Sequence, residues 1–262
     1  MAATKLQYQT PEKQQHLLDL NIGDASLKTL INEAMRAVQE RKEQLVFACA
    51  NPHSLVNTRE NPLFREALAD TPHIVADGVG ISLMARVVGV EVGPRITGSD
   101  YFCALMKKLN QAGGKRVFFL GSTKEVLDLL TARVKQNYPN VDVAGAISPP
   151  FGDWPAELDD RYVDEINRVR PDVLWVGMTA PKQEVWVHSN KARLDVPVIA
   201  SVGAVFDFYS GRTPRAPKWM QHLGLEWFYR FLKEPRRMWK RNFISTPKFI
   251  GLVIKHHVLR TR

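Results

Sequence analysis

Asp77 is the first side chain whose type and setting suggest chemistry. It follows the apolar run 73–76 and precedes Gly78 and Gly80, after which the apolar periodicity of 81–88 begins. This pattern predicts a buried strand, a tight turn and a helix start. In an open α/β sheet such a turn lies at the carboxyl ends of the strands, where ligands bind. Asp77 is therefore predicted to place a carboxylate at the mouth of a cleft. The alternative is that Asp77 only caps the following helix, a role that aspartate often fills.

Two further turns carry residues suited to a polar ligand. The apolar run 116–120 ends at Gly121, Ser122 and Thr123, and small residues with free amides at a helix start are suited to a phosphate. An ordinary strand-to-helix turn is the alternative there. The run 172–177 ends in a segment with Lys182 and Gln183, which together fit a polar ligand.

Basic residues are concentrated near the C-terminus. Residues 212–262 contain 13 Lys or Arg and two acids, a net charge of +11, whereas the whole chain is +9 and the first 211 residues therefore net −2. Such a segment attracts phosphates of nucleic acid, anionic lipid or a diphosphate substrate. Its aromatic and apolar residues among the bases favour a helix lying in a bilayer interface. A basic-faced helix packed on its own domain is the alternative.

Strands alternate with amphipathic helices along the first 211 residues. This order predicts an α/β fold with a mostly parallel, Rossmann-like sheet and flanking helices. We divide the chain into an α/β catalytic domain, 1–211, and a basic, aromatic-rich, amphipathic helical C-terminal appendage, 212–262. Neither G-x-G-x-x-G nor G-x-x-x-x-G-K-[ST] occurs, so no dinucleotide or P-loop nucleotide is indicated.

Cysteine usage and hydropathy exclude several classes of protein. Cys49 and Cys103 have no zinc-ligand spacing, so we predict no metal site and no disulfide framework, and a reducing compartment. We expect no signal peptide, and no apolar run reaches the 18 residues that a spanning helix needs.

An ordered series of short motifs lies within about residues 45–241. The segments are Ala50-Asn51-Pro52, Ala76-Asp77-Gly78, Pro94-Arg95-Ile96-Thr97-Gly98-Ser99-Asp100, Phe118-Phe119-Leu120-Gly121, Gly177-Met178-Thr179-Ala180-Pro181-Lys182-Gln183-Glu184, Val202-Gly203-Ala204-Val205-Phe206-Asp207, Arg215-Ala216-Pro217, Gly224-Leu225-Glu226-Trp227 and Glu234-Pro235-Arg236-Arg237. Each motif is weak alone, but the order is specific. The series resembles the WecG/TagA/CpsF glycosyltransferase family (glycosyltransferase family 26).

The resemblance implies an inverting enzyme that moves a sugar from a UDP-sugar to a polyprenyl-diphosphate-linked sugar, for cell-surface polysaccharide. N-acetylmannosamine, its uronic acid or another hexose fits as the donor sugar. The family lacks an Asp-x-Asp metal site, so we expect neither metal nor cofactor. The resemblance also implies a cytoplasmic, peripheral protein on the inner face of the cell membrane, which its C-terminal segment contacts, and a possible homo-oligomer.

The resemblance assigns roles to residues by position. Asp77 resembles the catalytic base, which takes the proton from the acceptor hydroxyl. Arginines suit the diphosphate because they bind phosphate in a bidentate manner. Cys49 stands where some members have Thr, which leaves the choice of donor sugar open. The predicted substrate-binding set is Cys49, Asn51, Gly78, Thr97, Gly121, Lys182, Gln183, Arg215, Arg236, Arg237 and Arg241. Asp100 and Asp207 rank below Asp77 as bases.

Two other classes of function stay open. A non-catalytic scaffold docked on the membrane would bind no UDP-sugar and would be indifferent to substitution of Asp77. A basic nucleic-acid-binding protein would show salt-sensitive binding. The apolar, aromatic character of the basic segment argues against nucleic acid, and we predict no nucleic-acid partner.

Overall fold

The structure is a computed structural model that describes residues 16–257, apart from the side chains of His222 and Arg237. A hairpin of two short strands, each two residues long, opens the described chain. Six further strands form one parallel sheet. The strands are β1 (His16–Leu17), β2 (Leu20–Asn21), β3 (Leu45–Ala50), β4 (His73–Ala76), β5 (Lys115–Gly121), β6 (Val141–Ile147), β7 (Val173–Gly177) and β8 (Val198–Ser201). The prediction of a parallel, Rossmann-like sheet is confirmed.

Thirteen α-helices lie within the described residues, with a short 3-10 helix at Lys191–Arg193 and a π-helix at Lys240–Ser245. The α-helices are α1 (Leu27–Glu40), α2 (Pro52–Glu60), α3 (Pro62–Ala69), α4 (Val79–Val87), α5 (Gly98–Ala112), α6 (Lys124–Asn137), α7 (Ala156–Val169), α8 (Lys182–Asn190), α9 (Val205–Ser210), α10 (Lys218–His222), α11 (Glu226–Lys233), α12 (Pro235–Trp239) and α13 (Thr246–His257).

The strands are buried on both faces because helices cover both sides of the sheet. Successive side chains of a strand point to opposite faces. Phe47 and Trp175 therefore pack with α1, α5, α6 and α9, whereas Leu174 and Val46 pack with α7 and α8. Near-continuous apolar runs are typical of parallel strands covered in this way. This explains why the strands were visible in the sequence.

The sheet order β4-β3-β8-β7-β5-β6 places a topological switch between β3 and β8. After β3 the chain enters α2, which packs on one face of the sheet, and after β8 it enters α9, which packs on the other. Two neighbouring strands whose chains leave to opposite faces open a crevice at their carboxyl ends, the usual ligand position in open α/β sheets.

The C-terminal helices close this crevice from one side. In α13, Phe249 and Val253 are fully buried against α2 and α4, so the last described helix shares the core of the α/β body. The domain boundary at 211/212 stays a prediction. Within residues 16–257, none of the helices has the length and hydropathy that spanning a bilayer requires.

Candidate active site

Two cavities meet at Asp77. Cavity 1, about 440 Å³, lies at the ends of β3, β4 and β8 beneath the C-terminal helices. Cavity 2, about 910 Å³, lies at the ends of β5, β7 and β8 and reaches the loop after β6. Asp77, Ala204, Arg230 and Arg241 line both cavities. A group at this junction can touch ligands held in either cavity.

The backbone holds Asp77 rigidly at the end of β4. Its amide donates to the carbonyl oxygen of Ala50 at 2.7 Å, which extends the pairing of β4 with β3 by one residue. Gly78, with a φ of 94°, is the N-cap of α4, and no side chain caps that helix. The capping alternative for Asp77 is therefore wrong, because the positive φ that glycine tolerates turns the chain before the helix begins.

The charge on Asp77 is set by burial and by its arginine neighbours. Burial raises the pKa of Asp77 to about 6; Arg241, Arg230 and Arg95 lower it in part, and Glu226 raises it. Desolvation disfavours the ionised form of a carboxyl group, so the largest cause has the expected sign. A carboxylate with a pKa near 6 is ionised at neutral pH yet basic enough to accept a proton in a transition state.

Arginines dominate the charge around the junction. Arg241, a predicted ligand of the diphosphate, lines both cavities. So does Arg230, which the sequence reasoning missed because it lies among the aromatic residues of α11. Arg95 lines cavity 1, and its guanidinium donates to the carbonyl oxygen of Gln221 at 3.2 Å. Its position within the quoted segment 94–100 was the signal available for Arg95.

Arg215 is held among acids and a hydroxyl. Its guanidinium pairs with Glu226 at 3.0 Å, lies 3.7 Å from Asp100 and donates to Thr97 Oγ1 at 3.3 Å. These contacts tie the segment before α10 to the start of α5 and to α11. Arg215 is thus a link between the α/β body and the C-terminal helices, and Glu226 anchors it on the helical side.

Thr97 lines cavity 1 and begins α5. Its hydroxyl donates to Asp100 at 2.8 Å and accepts from the Asp100 amide, and its own amide donates to the Asp100 carboxylate at 3.0 Å, which completes a capping box. Asn51 also lines cavity 1 and caps α2, accepting from the Ser54 amide at 3.1 Å. Both side chains lie at the rim of cavity 1, and the side-chain oxygens that cap the two helices already accept hydrogen bonds from backbone amides.

Gln183 joins the ends of two strands. Its Oε1 accepts from the amides of Met178, at 3.3 Å, and Gly203, at 3.0 Å, and its Nε2 donates to Glu184 at 2.8 Å. Burial raises the pKa of Glu184 to about 7. Gln183 therefore fixes the floor of cavity 2, where Met178 and Gly203 lie.

Lys182 lines cavity 2 and contacts the loop after β6. Its ammonium donates to the carbonyl oxygen of Gly152 and lies 3.5 Å from the centre of the Trp154 ring. Gly121, at the end of β5, has a φ of 126°, and a Cβ there would lie 2.5 Å from the Gly177 carbonyl oxygen. The glycine therefore permits the close approach of β5 and β7.

Several of the predicted substrate-binding residues lie outside the two cavities. Gly78 lines cavity 1. The described residues that line the two cavities do not include Cys49, Gly121, Gln183, Arg215 or Arg236. The side chain of Arg237 lies outside the described residues. Asp207, ranked below Asp77, lines cavity 2. In the described part of the chain, no three His, Cys, Asp or Glu side chains converge as metal ligands.

Comparison with known proteins agrees with the series of motifs. The profile of the Glycosyl transferase WecG/TagA/CpsF family matches residues 15–262. The chain belongs to this family.

Several curated relatives of this family member share a name, N-acetylglucosaminyldiphosphoundecaprenol N-acetyl-beta-D-mannosaminyltransferase. One from Bacillus spizizenii is 30% identical over 237 residues, which cover 90% of this chain and 89% of the relative. One from Bacillus subtilis is 30% identical, with 88% of each chain covered. One from Staphylococcus aureus is 29% identical, with 80% of each covered. The family and these relatives make the chain a glycosyltransferase.

Proposed function

We propose that this glycosyltransferase moves an N-acetylmannosamine-type or other hexose from a UDP-sugar to a polyprenyl-diphosphate-linked sugar, with inversion and without a metal ion. The relatives named above are mannosaminyltransferases that act on N-acetylglucosaminyldiphosphoundecaprenol, which supports the acceptor class. The observation that carries the mechanism is Asp77, held between two cavities with a pKa of about 6.

Asp77 is the proposed general base. Its carboxylate takes the proton from the acceptor hydroxyl while that oxygen attacks the anomeric carbon of the donor. The bond between the anomeric carbon and the UDP oxygen breaks, and UDP leaves with the electron pair. A single displacement inverts the anomeric centre. The attacking oxygen and the leaving UDP must lie on opposite sides of the anomeric carbon, with Asp77 beside the attacking oxygen, and the junction of the two cavities offers that arrangement.

We assign the acceptor to cavity 1 and the donor to cavity 2. The rim of cavity 1 carries three exposed apolar side chains, Val79, Trp227 and Phe243, which suit the lipid-linked substrate. Cavity 2 runs along the strand ends past Ser122 and Thr123, the turn at the start of α6 that suits a phosphate.

Arginine side chains replace a metal ion in this proposal. The leaving diphosphate gains negative charge as the bond breaks, and preorganised cations stabilise that charge where it develops. Arg230 and Arg241 stand at the junction, so they are the proposed ligands of the leaving group. Both lie in the C-terminal helices, which makes those helices part of the catalytic machinery.

The same helices are the proposed membrane contact. They expose aromatic and aliphatic side chains among the bases, a composition that suits an anionic bilayer interface on the cytoplasmic face. The exposed set is Trp219, Leu223, Trp227, Phe228, Leu232, Trp239, Phe243, Ile244, Ile250 and Ile254. A peripheral position would bring cavity 1 to the lipid-linked acceptor. Homo-oligomerisation stays a prediction.

The deciding experiment measures release of UDP from a panel of UDP-sugars, with polyprenyl-diphosphate N-acetylglucosamine in liposomes and a chelator present. We expect release with one donor, dependent on the acceptor and lost in Asp77→Asn. Release that requires an added divalent cation would contradict the role of the arginines. A folded protein that neither binds UDP nor transfers a sugar to any acceptor would favour the scaffold alternative.

A further inference from the structure

We propose that the loop after β6, residues 148–155, is the nucleobase subsite of the donor and that Phe151 is its stacking residue. The inference rests on the proposed function, since it takes a UDP-sugar as the ligand of cavity 2. Phe151 lines this cavity, yet 94% of its surface is exposed. A phenylalanine ring in water gains free energy when a flat apolar partner covers it.

The sheet order separates this loop from Asp77. Asp77 follows β4 at one edge of the sheet, and the loop follows β6 at the other edge, five strand spacings away. Strands lie about 4.8 Å apart, and the contact of the loop with Lys182 at the start of α8 brings it back to the end of β7, three spacings or about 14 Å from β4, which an extended nucleoside diphosphate can span. The anomeric carbon must lie at Asp77 for the base to act. The diphosphate and nucleoside must then extend away from Asp77, and within cavity 2 that direction leads to the loop.

The charges in cavity 2 follow the same direction. Arg230 and Arg241 stand at the Asp77 end. Arg212, which donates to Thr123 Oγ1 at 3.3 Å, lines the cavity near the start of α6. At the far end the lining includes Pro149, Pro150, Phe151 and Trp154, together with Lys182, whose ammonium is engaged by the Gly152 carbonyl oxygen and the Trp154 ring. A cavity with two arginines at one end and the exposed Phe151 ring at the other matches a diphosphate joined to a planar base.

The loop is held in place before any ligand binds. Pro149, Pro150 and Pro155 restrict its backbone, because each proline fixes φ. Ser148 Oγ donates to the Ser122 carbonyl oxygen at 2.8 Å, and Lys182 bonds the Gly152 carbonyl oxygen.

The Trp154 ring is fixed as well, so the backbone that carries Phe151 is preorganised and ordering the loop on binding costs little. Trp154 Nε1 donates to Asp159 at 2.7 Å, and Lys182 lies over the ring. Lys182 therefore positions the loop and is not itself at the proposed stacking surface.

The test compares UDP with inorganic pyrophosphate, which lacks a base, by isothermal titration of the full chain. The variants are Phe151→Ala and Phe151→Tyr. Leu129→Ala serves as the matched control, because Leu129 is an exposed apolar residue of α6 outside both cavities. Loss of base–aromatic stacking is expected to weaken UDP binding about tenfold in Phe151→Ala. Pyrophosphate binding should stay at the wild-type level in all variants, and Phe151→Tyr should retain UDP binding.

Kinetics give a second readout. In Phe151→Ala the KM for the donor should rise about tenfold while kcat and the KM for the acceptor stay near wild type, because stacking is equal in ground and transition states. Unchanged UDP affinity in Phe151→Ala would overturn the inference and leave the proposed function standing. An equal loss of affinity for UDP and for pyrophosphate would also overturn it. If the wild-type chain neither binds UDP nor uses UDP-sugars, the proposed function itself fails.

Discussion

Replacing Asp77 with Asn is expected to abolish transfer and at the same time to stabilise the fold at neutral pH. The pKa of Asp77 is about 6 in the folded chain and 3.8 as the ordinary value, because burial disfavours the ionised form. Between pH 3.8 and pH 6, the Asp77 carboxyl group is protonated in the folded state and ionised in the unfolded state. Stability contributed by this group is therefore present below pH 4 and is lost as the pH rises towards 6. The full cost of ionising the buried carboxyl group is about 3 kcal/mol.

Asn cannot ionise, so the variant escapes this cost. The advantage of Asp77→Asn should grow by about 1.4 kcal/mol between pH 5 and pH 7.5, whatever else the substitution changes. Urea denaturation at the two pH values measures the difference. The exposed Asp164→Asn is the control, and it should show no such growth. General-base catalysis contributes about 100-fold or more to rate, so UDP release should fall by at least that factor. A pH-independent difference in stability would refute the burial argument, and wild-type turnover would refute the base.

Three further predictions concern residues around the site. Arg241→Ala should lower kcat about 100-fold, with partial recovery in Arg241→Lys, and should move the acidic limb of the pH–rate profile upward because Arg241 lowers the pKa of Asp77; an unmoved limb would show that the two side chains are not coupled. Glu184→Gln should stabilise the chain more at pH 8 than at pH 5, since burial holds the pKa of Glu184 at about 7; denaturant titrations that give equal gains at both pH values would contradict this. A double-mutant cycle of Arg215→Ala and Glu226→Ala should return a coupling energy of about 1–2 kcal/mol, and a value near zero would mean that the 3.0 Å ion pair contributes no link.

The strands and the site aspartate were predictable because their signals are local. Parallel strands covered on both faces leave near-continuous apolar runs, and the runs at 73–76, 116–120 and 172–177 became β4, β5 and β7. A carboxylate at the end of such a run must lie at the carboxyl edge of the sheet. The start of α1 is less predictable, since Asp24 and Ser26 are both capping residue types and the structure has Ser26 as the N-cap. Either residue type can fill that position, and the choice depends on backbone geometry.

Only the tertiary structure decided what each polar side chain contacts. In the sequence, Gln183 is a polar residue of the kind that contacts a ligand. In the folded chain, its side-chain oxygen instead accepts hydrogen bonds from the amides of Met178 and Gly203. Arg215 meets Glu226 and Asp100, and Arg230 arrives at Asp77 from a helix some 150 positions later in the chain.

The features that the sequence predicts and those that only the tertiary structure decides differ for a physical reason. A strand or a turn follows from interactions between residues a few positions apart, and the sequence displays these directly. The two cavities, the pKa of Asp77 and the partners of the arginines depend on how the C-terminal helices pack on the sheet. That packing joins distant residues and is set by the shape of the whole core. The sequence by itself therefore determined the sheet, the family and the aspartate, and the tertiary structure decided which cations and which cavities surround it.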